Sequence, residues 1–449
     1  MSSTLIASAL IAALGGLLFG YDTVVISGTN DALVRVFDLS SKTLGITVAI
    51  ALIGTVFGSI FAGRPADVWG RKKALVLVAI LYLVTSLGTA LAWDWYSFLF
   101  FRFWGGVAVG AASVVSPLYI AEISPARFRG RLVAVQQFNI CLGILLAQLI
   151  NYGIARLSLG ENEWRWMLGV LAIPSFAFLV LVLPTLESPR WLIGRGRDDE
   201  ARAALLRLGV DGGGVDQEVA EIRSSIDPEH LKKGNSLFRP AYRIPVMLAI
   251  AIAMFNQLSG INAVLYYAPK IFGMANVAKD AALLNAVAVG TTNLVFTMLA
   301  MLVIDHFGRR ALMLAGSIGY ILGLGITALA FYTYGGNFTG PGIALVLGGL
   351  LLFIAAHAFG QGAVIWVFIS EIFPNRVRAD GQALGSTTHW VMAAIIAGIF
   401  PYELEILGPG TTFAIYMVMM FIQLLWVLFI MPETKGVPLE EMEKKLGIG

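Results

Sequence analysis

The chain has 449 residues, 58% of them hydrophobic and only 13% charged, with a mean hydropathy of +0.80. That composition excludes a water-soluble globular protein, and a formal charge of +3 over this length gives no reason to expect a nucleic-acid partner. The single cysteine, Cys141, excludes an intramolecular disulfide and any cysteine-based zinc or iron–sulfur cluster.

An apolar run of about 20 residues crosses roughly 30 Å of hydrocarbon as a helix. The sequence predicts about twelve such spans, roughly at 5–27, 43–63, 74–92, 96–120, 131–155, 165–185, 243–272, 281–303, 311–334, 343–370, 380–402 and 411–431. The runs are continuous, not alternating stretches of about ten residues, so they read as helices and not barrel strands. The first run lacks a basic flank and a clear small-residue cleavage site, and reads as a retained first span. The only long polar stretch is 186–242, where Asp198–Leu208 and Val215–Ile226 form amphipathic patterns around Gly212, Gly213 and Gly214. It reads as a tether or latch between two bundles. The expected layout is a bundle at 1–185, a helical linker at 186–242, a second bundle at 243–431 and a short tail at 432–449.

Lys and Arg are distributed unevenly among the loops. One set holds Arg64, Arg71, Lys72 and Lys73, then Arg127, Arg129 and Arg131, then Arg309 and Arg310, then Arg376 and Arg378; the other holds only Arg35, Lys42, Arg156, Arg165, Lys270 and Lys279. The first set is expected in the cytoplasm, with both termini.

Two charged phrases recur. Asp67-Val68-Trp69-Gly70-Arg71-Lys72 returns as Asp305-His306-Phe307-Gly308-Arg309-Arg310, an offset of 305 − 67 = 238. Glu122-Ile123-Ser124-Pro125 with Arg127 and Arg129 returns as Glu371-Ile372-Phe373-Pro374 with Arg376 and Arg378, an offset of 371 − 122 = 249. Two membrane-embedded halves with one plan can present one site to either side of a bilayer. The carboxylates and guanidiniums sit where helix ends meet water and can pair in bidentate fashion. Asp67, Arg71, Glu122, Arg129, Asp305, Arg309, Glu371 and Arg378 are therefore expected to form a network that ties the halves together when the cytoplasmic side is shut.

Asp22 and Arg102 lie inside apolar runs, where an ionised side chain costs on the order of 2.5–3.5 kcal/mol. Pairing lowers that cost, and a pair whose separation changes with conformation can take up and release a proton. In the fifth span Gln137, Cys141, Ile144, Gln148 and Asn151 fall within about 40° of one direction, a polar line expected to face the interior. The seventh span carries Asn256, Gln257 and Asn262. Asn256 and Asn262 lie about 120° apart on a regular helix, and Gly260 offers a break that could re-aim them.

Gly63-Arg64-x-x-Asp67-x-x-Gly70-Arg71-Lys72 resembles the signature loop of the major facilitator superfamily. Further matches resemble its sugar porters: Gly15-Gly16-Leu17-Leu18-Phe19-Gly20-Tyr21-Asp22; Glu187-Ser188-Pro189-Arg190-Trp191-Leu192; Gln257-Leu258-Ser259-Gly260-Ile261-Asn262-Ala263-Val264-Leu265-Tyr266-Tyr267; and Pro432-Glu433-Thr434-Lys435-Gly436. They run in the expected order over nearly the whole chain. The resemblance implies an all-α membrane protein of two pseudo-symmetric six-helix bundles, moving a monosaccharide by alternating access. It implies sugar contacts at Phe19, Gln137, Ile144, Asn256, Gln257, Asn262, Tyr266, Trp366, His389 and Trp390, and a proton-coupling role for Asp22 with Arg102, since uniporting glucose facilitators have Asn at the first position. Ile144 stands where xylose-type symporters have a second glutamine, which favours hexose. Ala363 stands where relatives usually have Pro, His389 where they have Asn or Gln, Ala393 where Asn is frequent, and Asn256 where Gln is usual.

The expected function is proton-coupled monosaccharide import across a bacterial-type inner membrane by a functional monomer in lipid. Protons are the coupling ion and no cofactor is expected. A uniporter and a pentose or inositol symporter are the alternatives within transport. A transporter-like sugar sensor is remote, given the short tail, and no nucleophile–base constellation, metal spacing or phosphate loop suggests an enzyme.

Overall fold

The protein is described by a computed structural model covering residues 2–225, 237–335, 337–374, 377–437, 441, 442, 444 and 446, with the side chains of 126, 127, 129 and 130 outside the description. Among the described residues, eleven helical segments are long and apolar enough to span a membrane. The last, Arg378–Phe429, has 52 residues, about 78 Å at 1.5 Å per residue and far more than a bilayer requires. Gly408 (φ 73°, ψ 161°) interrupts it and divides it in two. That gives 11 + 1 = 12 spans, and the described residues form an all-helical membrane protein.

Local sequence explains where several spans begin and break. Trp95–Ile123 is capped by Asp94, whose carboxylate accepts from the Ser97 N–H at 2.7 Å while the Ser97 hydroxyl faces the Asp94 N–H. The seventh span is two helices, Arg243–Leu258 and Ile261–Met274, separated at Gly260 with φ 83°. A side chain there would strain the backbone and meet the Tyr416 ring at 2.4 Å. The tenth span also breaks, into Gly340–Phe359 and Gln361–Ile372 at Gly360. Its break therefore lies three residues before Ala363. The linker contains Pro189–Gly194, Asp198–Leu208 and Val215–Ser225, with Ile226 outside the described residues. Leu192, Ala201, Leu205, Val215, Val219 and Ile222 give these helices a small core of their own.

The chain packs as two compact units. The first is Met1–Thr23, Gly54–Ile144 and Leu168–Gly234; the second is Val24–Ile53, Leu145–Met167 and Asn235–Gly449. Inside the first, small residues bring the second and fourth spans together: a β-carbon on Gly58 would lie 2.2 Å from the Val107 carbonyl oxygen, and one on Gly110 2.2 Å from that of Thr55. Close backbone approach of this kind replaces the hydrophobic drive that lipid removes. Inside the second, Leu248, Ile252, Ile365, Phe368, Ile369 and Val427 form the core. Met442 and Leu446 of the tail are buried against it.

Candidate functional site

The first unit holds a buried ion pair. Arg102 Nη1 donates to Asp22 Oδ1 at 2.9 Å and Nη2 to the Asp22 carbonyl oxygen at 3.3 Å. The side chains are 3% and 8% exposed, so both charges are shielded from bulk water and each depends on the other. Phe19 stands on the same helix, half-buried, three residues before Asp22. On the fifth span, Gln137 Nε2 lies 3.7 Å from Cys141 Sγ. Cys141 and Ile144 are buried in this unit, while Gln148 and Asn151 are buried in the other. Gln148 Oε1 accepts from the Ser27 hydroxyl at 3.2 Å, and Asn151 Nδ2 donates to the Val25 carbonyl at 3.0 Å. The polar line is thus buried from Cys141 to Asn151 and half-buried at Gln137.

In the second unit the break at Gly260 does what a regular helix could not. Asn262 Nδ2 donates to Gln257 Oε1 at 2.8 Å, and Gln257 Nε2 donates to Asn256 Oδ1 at 2.8 Å. Gln257 Nε2 also faces the ring nitrogens of His389 at 3.3 Å. The Trp366 and His389 ring centroids are 5.1 Å apart, and those of His389 and Trp390 4.9 Å. Trp366 is 39% exposed while Trp390 is buried, so the former has an accessible aromatic surface. The three amides, one imidazole and two indoles form a polar and aromatic patch with both donors and acceptors, the combination a polyhydroxylated ligand requires.

At the helix ends away from the charged loops, the second unit joins early and late spans. Asn30 Nδ2 donates to the carbonyl oxygen of Tyr266, itself 3% exposed, at 2.8 Å. Lys279 Nζ pairs with Glu163 Oε1 at 2.6 Å, and Lys42 Nζ stands 4.7 Å from the Tyr402 ring centroid. Gly45 meets the Gly398 backbone so closely that a β-carbon would lie 1.9 Å from its carbonyl oxygen.

The duplicated phrases build duplicated structures. Arg71 grips Glu122 in bidentate fashion, Nε to Oε2 at 2.8 Å and Nη2 to Oε1 at 2.9 Å, with Nη1 on Asp67 at 3.0 Å. Arg309 grips Glu371 the same way, at 3.0 and 2.7 Å, with Nη1 on Asp305 at 3.2 Å. Each grip closes within its own half, because the arginine opens one span and the glutamate ends the next. The sequence reading had them joining one half to the other. Arg378 donates to the Phe373 carbonyl at 3.4 Å and, among the described residues, to no carboxylate. The Arg127 and Arg129 side chains and the whole of Arg376 lie outside the described residues.

Two further carboxylates complete these clusters. Glu187 accepts from the backbone N–H of Arg71 and Lys72, and Glu433 from those of Arg309 and Arg310. Each caps the start of a helix, where unpaired N–H groups favour negative charge. Gly70 (φ +103°) and Gly308 (φ +86°) admit them: a β-carbon would lie 2.3 Å from Glu187 Oε2 and 2.6 Å from Glu433 Oε2. Burial pushes the Glu187 carboxyl above the usual carboxylate range, against its backbone hydrogen bonds. Burial also acts on Glu433, but N–H groups of Lys435, Arg309, Arg310 and Thr434 outweigh it and hold that carboxyl low.

The family described as sugar (and other) transporter matches residues 8–446. The chain belongs to that family. This sugar-transporter family member is 36% identical to the D-xylose-proton symporter of Escherichia coli (strain K12), over 98% of its own length and 96% of the relative's. It is 35% identical to the glucose transport protein of Synechocystis sp., over 96% and 95%. Among solved structures, the xylose transporter XylE from E. coli in a partially occluded inward open conformation matches with TM-score 0.85 at 36% identity, over 97% of this chain and 100% of that one.

Glu187 and Glu433 were missed as members of the charged clusters, although they stand in two of the quoted motifs. Their offset, 433 − 187 = 246, falls between those of the two recurring phrases and was the available signal.

Proposed function

We propose that the chain imports a monosaccharide together with protons, by alternating access of two six-helix halves, 1–185 and 243–431, joined by 186–242. The observation that carries the coupling is the buried Asp22–Arg102 pair, whose second carboxylate oxygen makes no hydrogen bond among the described residues. A guanidinium beside a carboxylate favours the charged form, and parting them favours proton uptake. A motion that changes their distance therefore binds and releases one proton per cycle. A proton entering down 100 mV supplies about 2.3 kcal/mol, enough for roughly 50-fold accumulation at one proton per sugar.

The sugar is held by Gln137, with Ile144 and Phe19, from one half, and by Asn256, Gln257, Asn262, Tyr266, Trp366, His389 and Trp390 from the other. The amide chain Asn262–Gln257–Asn256 supports this role, because it leaves Asn262 and Asn256 each with free polar capacity toward a hydroxyl. Ile144 favours a hexose, since it stands where xylose-type symporters have a second glutamine and glucose facilitators have isoleucine. The relatives named above include both a xylose symporter and a glucose transporter, so the choice rests on that residue. The arginine-bearing loops lie in the cytoplasm of a bacterial-type cell, with both termini. The contacts of Asn30, Gly45, Glu163 and Lys279 then close the external ends of the spans. The Arg71–Glu122 and Arg309–Glu371 grips keep the cytoplasmic ends of each half rigid, so the halves rock as bodies.

Uptake of labelled hexoses, pentoses and inositol into proteoliposomes, with and without an imposed pH gradient, tests this reading. Hexoses are expected to accumulate above the other sugars and only with the gradient. A pentose taken up in preference would assign Ile144 no role, and gradient-independent uptake would leave a uniporter.

A further inference from the structure

The third span, Arg71–Ala90, turns a stripe of hydroxyls inward: Tyr82, Thr85, Ser86 and Thr89 are each 5% exposed or less. Their spacing of three and four residues puts them on one face. Thr85, Ser86 and Thr89 donate to carbonyls of their own helix, those of Leu81, Leu83 and Thr85. The Tyr82 hydroxyl is 0% exposed with its residue and makes no hydrogen bond among the described residues, and it interacts electrostatically with Asp22. Asp22 Oδ2 and Arg102 Nε are likewise buried without a hydrogen bond. Two unmet polar atoms of one ion pair and a third on Tyr82 are costly in a membrane interior unless something joins them.

The fourth span meets them without a side chain. Gly105 faces this cluster, and the position of a β-carbon there would be 3.5 Å from Thr85 Oγ1 and 3.8 Å from Asp22 Oδ2, with no heavy atom nearer. With no β-carbon on Gly105 a water can lie between these two oxygens, and a buried water needs two to four polar partners. Asp22 Oδ2 accepts, Thr85 Oγ1 accepts with its lone pairs because its proton is committed to Leu81, and Tyr82 O–H and Arg102 Nε–H donate.

We propose that Tyr82 and Thr85 hold a water against the free oxygen of Asp22, beside Gly105, and that this water sets the pH at which the carboxylate takes its proton. Tyr82 is thus a positioning residue, acting through the water on Asp22. The proposal rests on the proton-coupling reading of Asp22. Among the described residues, Arg102 is the charge that faces it from the fourth span, and Tyr82 of the third span and Tyr21 of its own helix are the titratable groups on which it acts. The fifth span brings Cys141, with the amides of Gln136 and Gln137, to the same unit, and Ala172–Val182 of the sixth contains no titratable residue.

The test is the pH profile of gradient-driven sugar uptake by the full carrier in proteoliposomes, comparing wild type with Tyr82→Phe and Gly105→Ala. The first removes the donor that orients the water, and the second fills its place with a methyl that meets no atom closer than 3.5 Å. A hydrogen bond donated to a carboxylate favours its charged form. Its loss is expected to move the alkaline fall-off of uptake upward by about one pH unit in both variants. Sugar exchange at acid pH reports that each carrier is folded. If Tyr82→Phe does not fold, Gly105→Ala decides alone. Folded variants with lower rates at every pH but an unmoved profile overturn the proposal. Wild-type uptake indifferent to the gradient overturns the coupling itself, a different failure seen before any variant is compared.

Discussion

Proteoliposomes carrying Asp22→Asn are expected to exchange sugar but not to accumulate it, so that accumulation falls from roughly 50-fold to about one at a driving force of 100 mV. Asparagine retains the shape of the side chain and its oxygen can still accept from Arg102 Nη1, but it neither binds a proton nor balances the guanidinium. Arg102, 2% exposed, is then a buried charge with no counter-ion. Breaking a buried pair from one side costs about 3–5 kcal/mol. The variant should therefore be thermally less stable, and exchange must be measured on carriers shown to be folded. Preserved exchange with lost accumulation separates coupling from transport. Full accumulation in Asp22→Asn would remove this carboxylate from the energetics.

Gly45→Leu is expected to lower net uptake tenfold or more while leaving sugar binding from the external side. A β-carbon at Gly45 would stand 1.9 Å from the Gly398 carbonyl oxygen and 2.9 Å from its carbon, both backbone atoms that cannot rotate away. Overpacking of this kind costs about 1–3 kcal/mol even where side chains can adjust, and 1.4 kcal/mol is a factor of ten in a population. The arrangement in which Gly45 and Gly398 touch is then depleted, and with it the half-cycle that delivers sugar inward. Initial uptake rates together with external labelling of a cysteine placed near Asn30 measure both consequences. Wild-type uptake with a side chain at Gly45 would mean that this contact is not part of the cycle.

The features legible in the sequence were those that follow from hydrophobicity and from residues with few alternatives. All eleven long apolar helical segments correspond to apolar runs, the last of them to two, and the Asp22–Arg102 pair follows from the cost of leaving either charge alone in hydrocarbon. Gly260 could be read as a break because two amides on opposite sides of it have no common partner on a straight helix. The boundary between the last two spans was less visible. Residues 403–410 look like a polar loop, yet they stay helical up to Gly408, and the Glu403 carboxylate accepts from the Tyr416 hydroxyl at 2.7 Å. Ala363, where a proline is usual, implies a tenth span that kinks less or elsewhere, and the break lies at Gly360. The partners of Arg71 and Arg309 could not be assigned from spacing, since a guanidinium at a helix end reaches carboxylates of its own half as readily as others. Glu187 and Glu433 were hidden for a related reason: their partners are backbone N–H groups, which every residue has, exposed only because Gly70 and Gly308 open the way.

The most direct test of the account is proton movement itself. Adding a hexose to lightly buffered proteoliposomes of the wild-type carrier, with no imposed gradient, should make the external medium more alkaline as sugar and protons enter together, at one proton per sugar. Sugar entry with no change in external pH would contradict it.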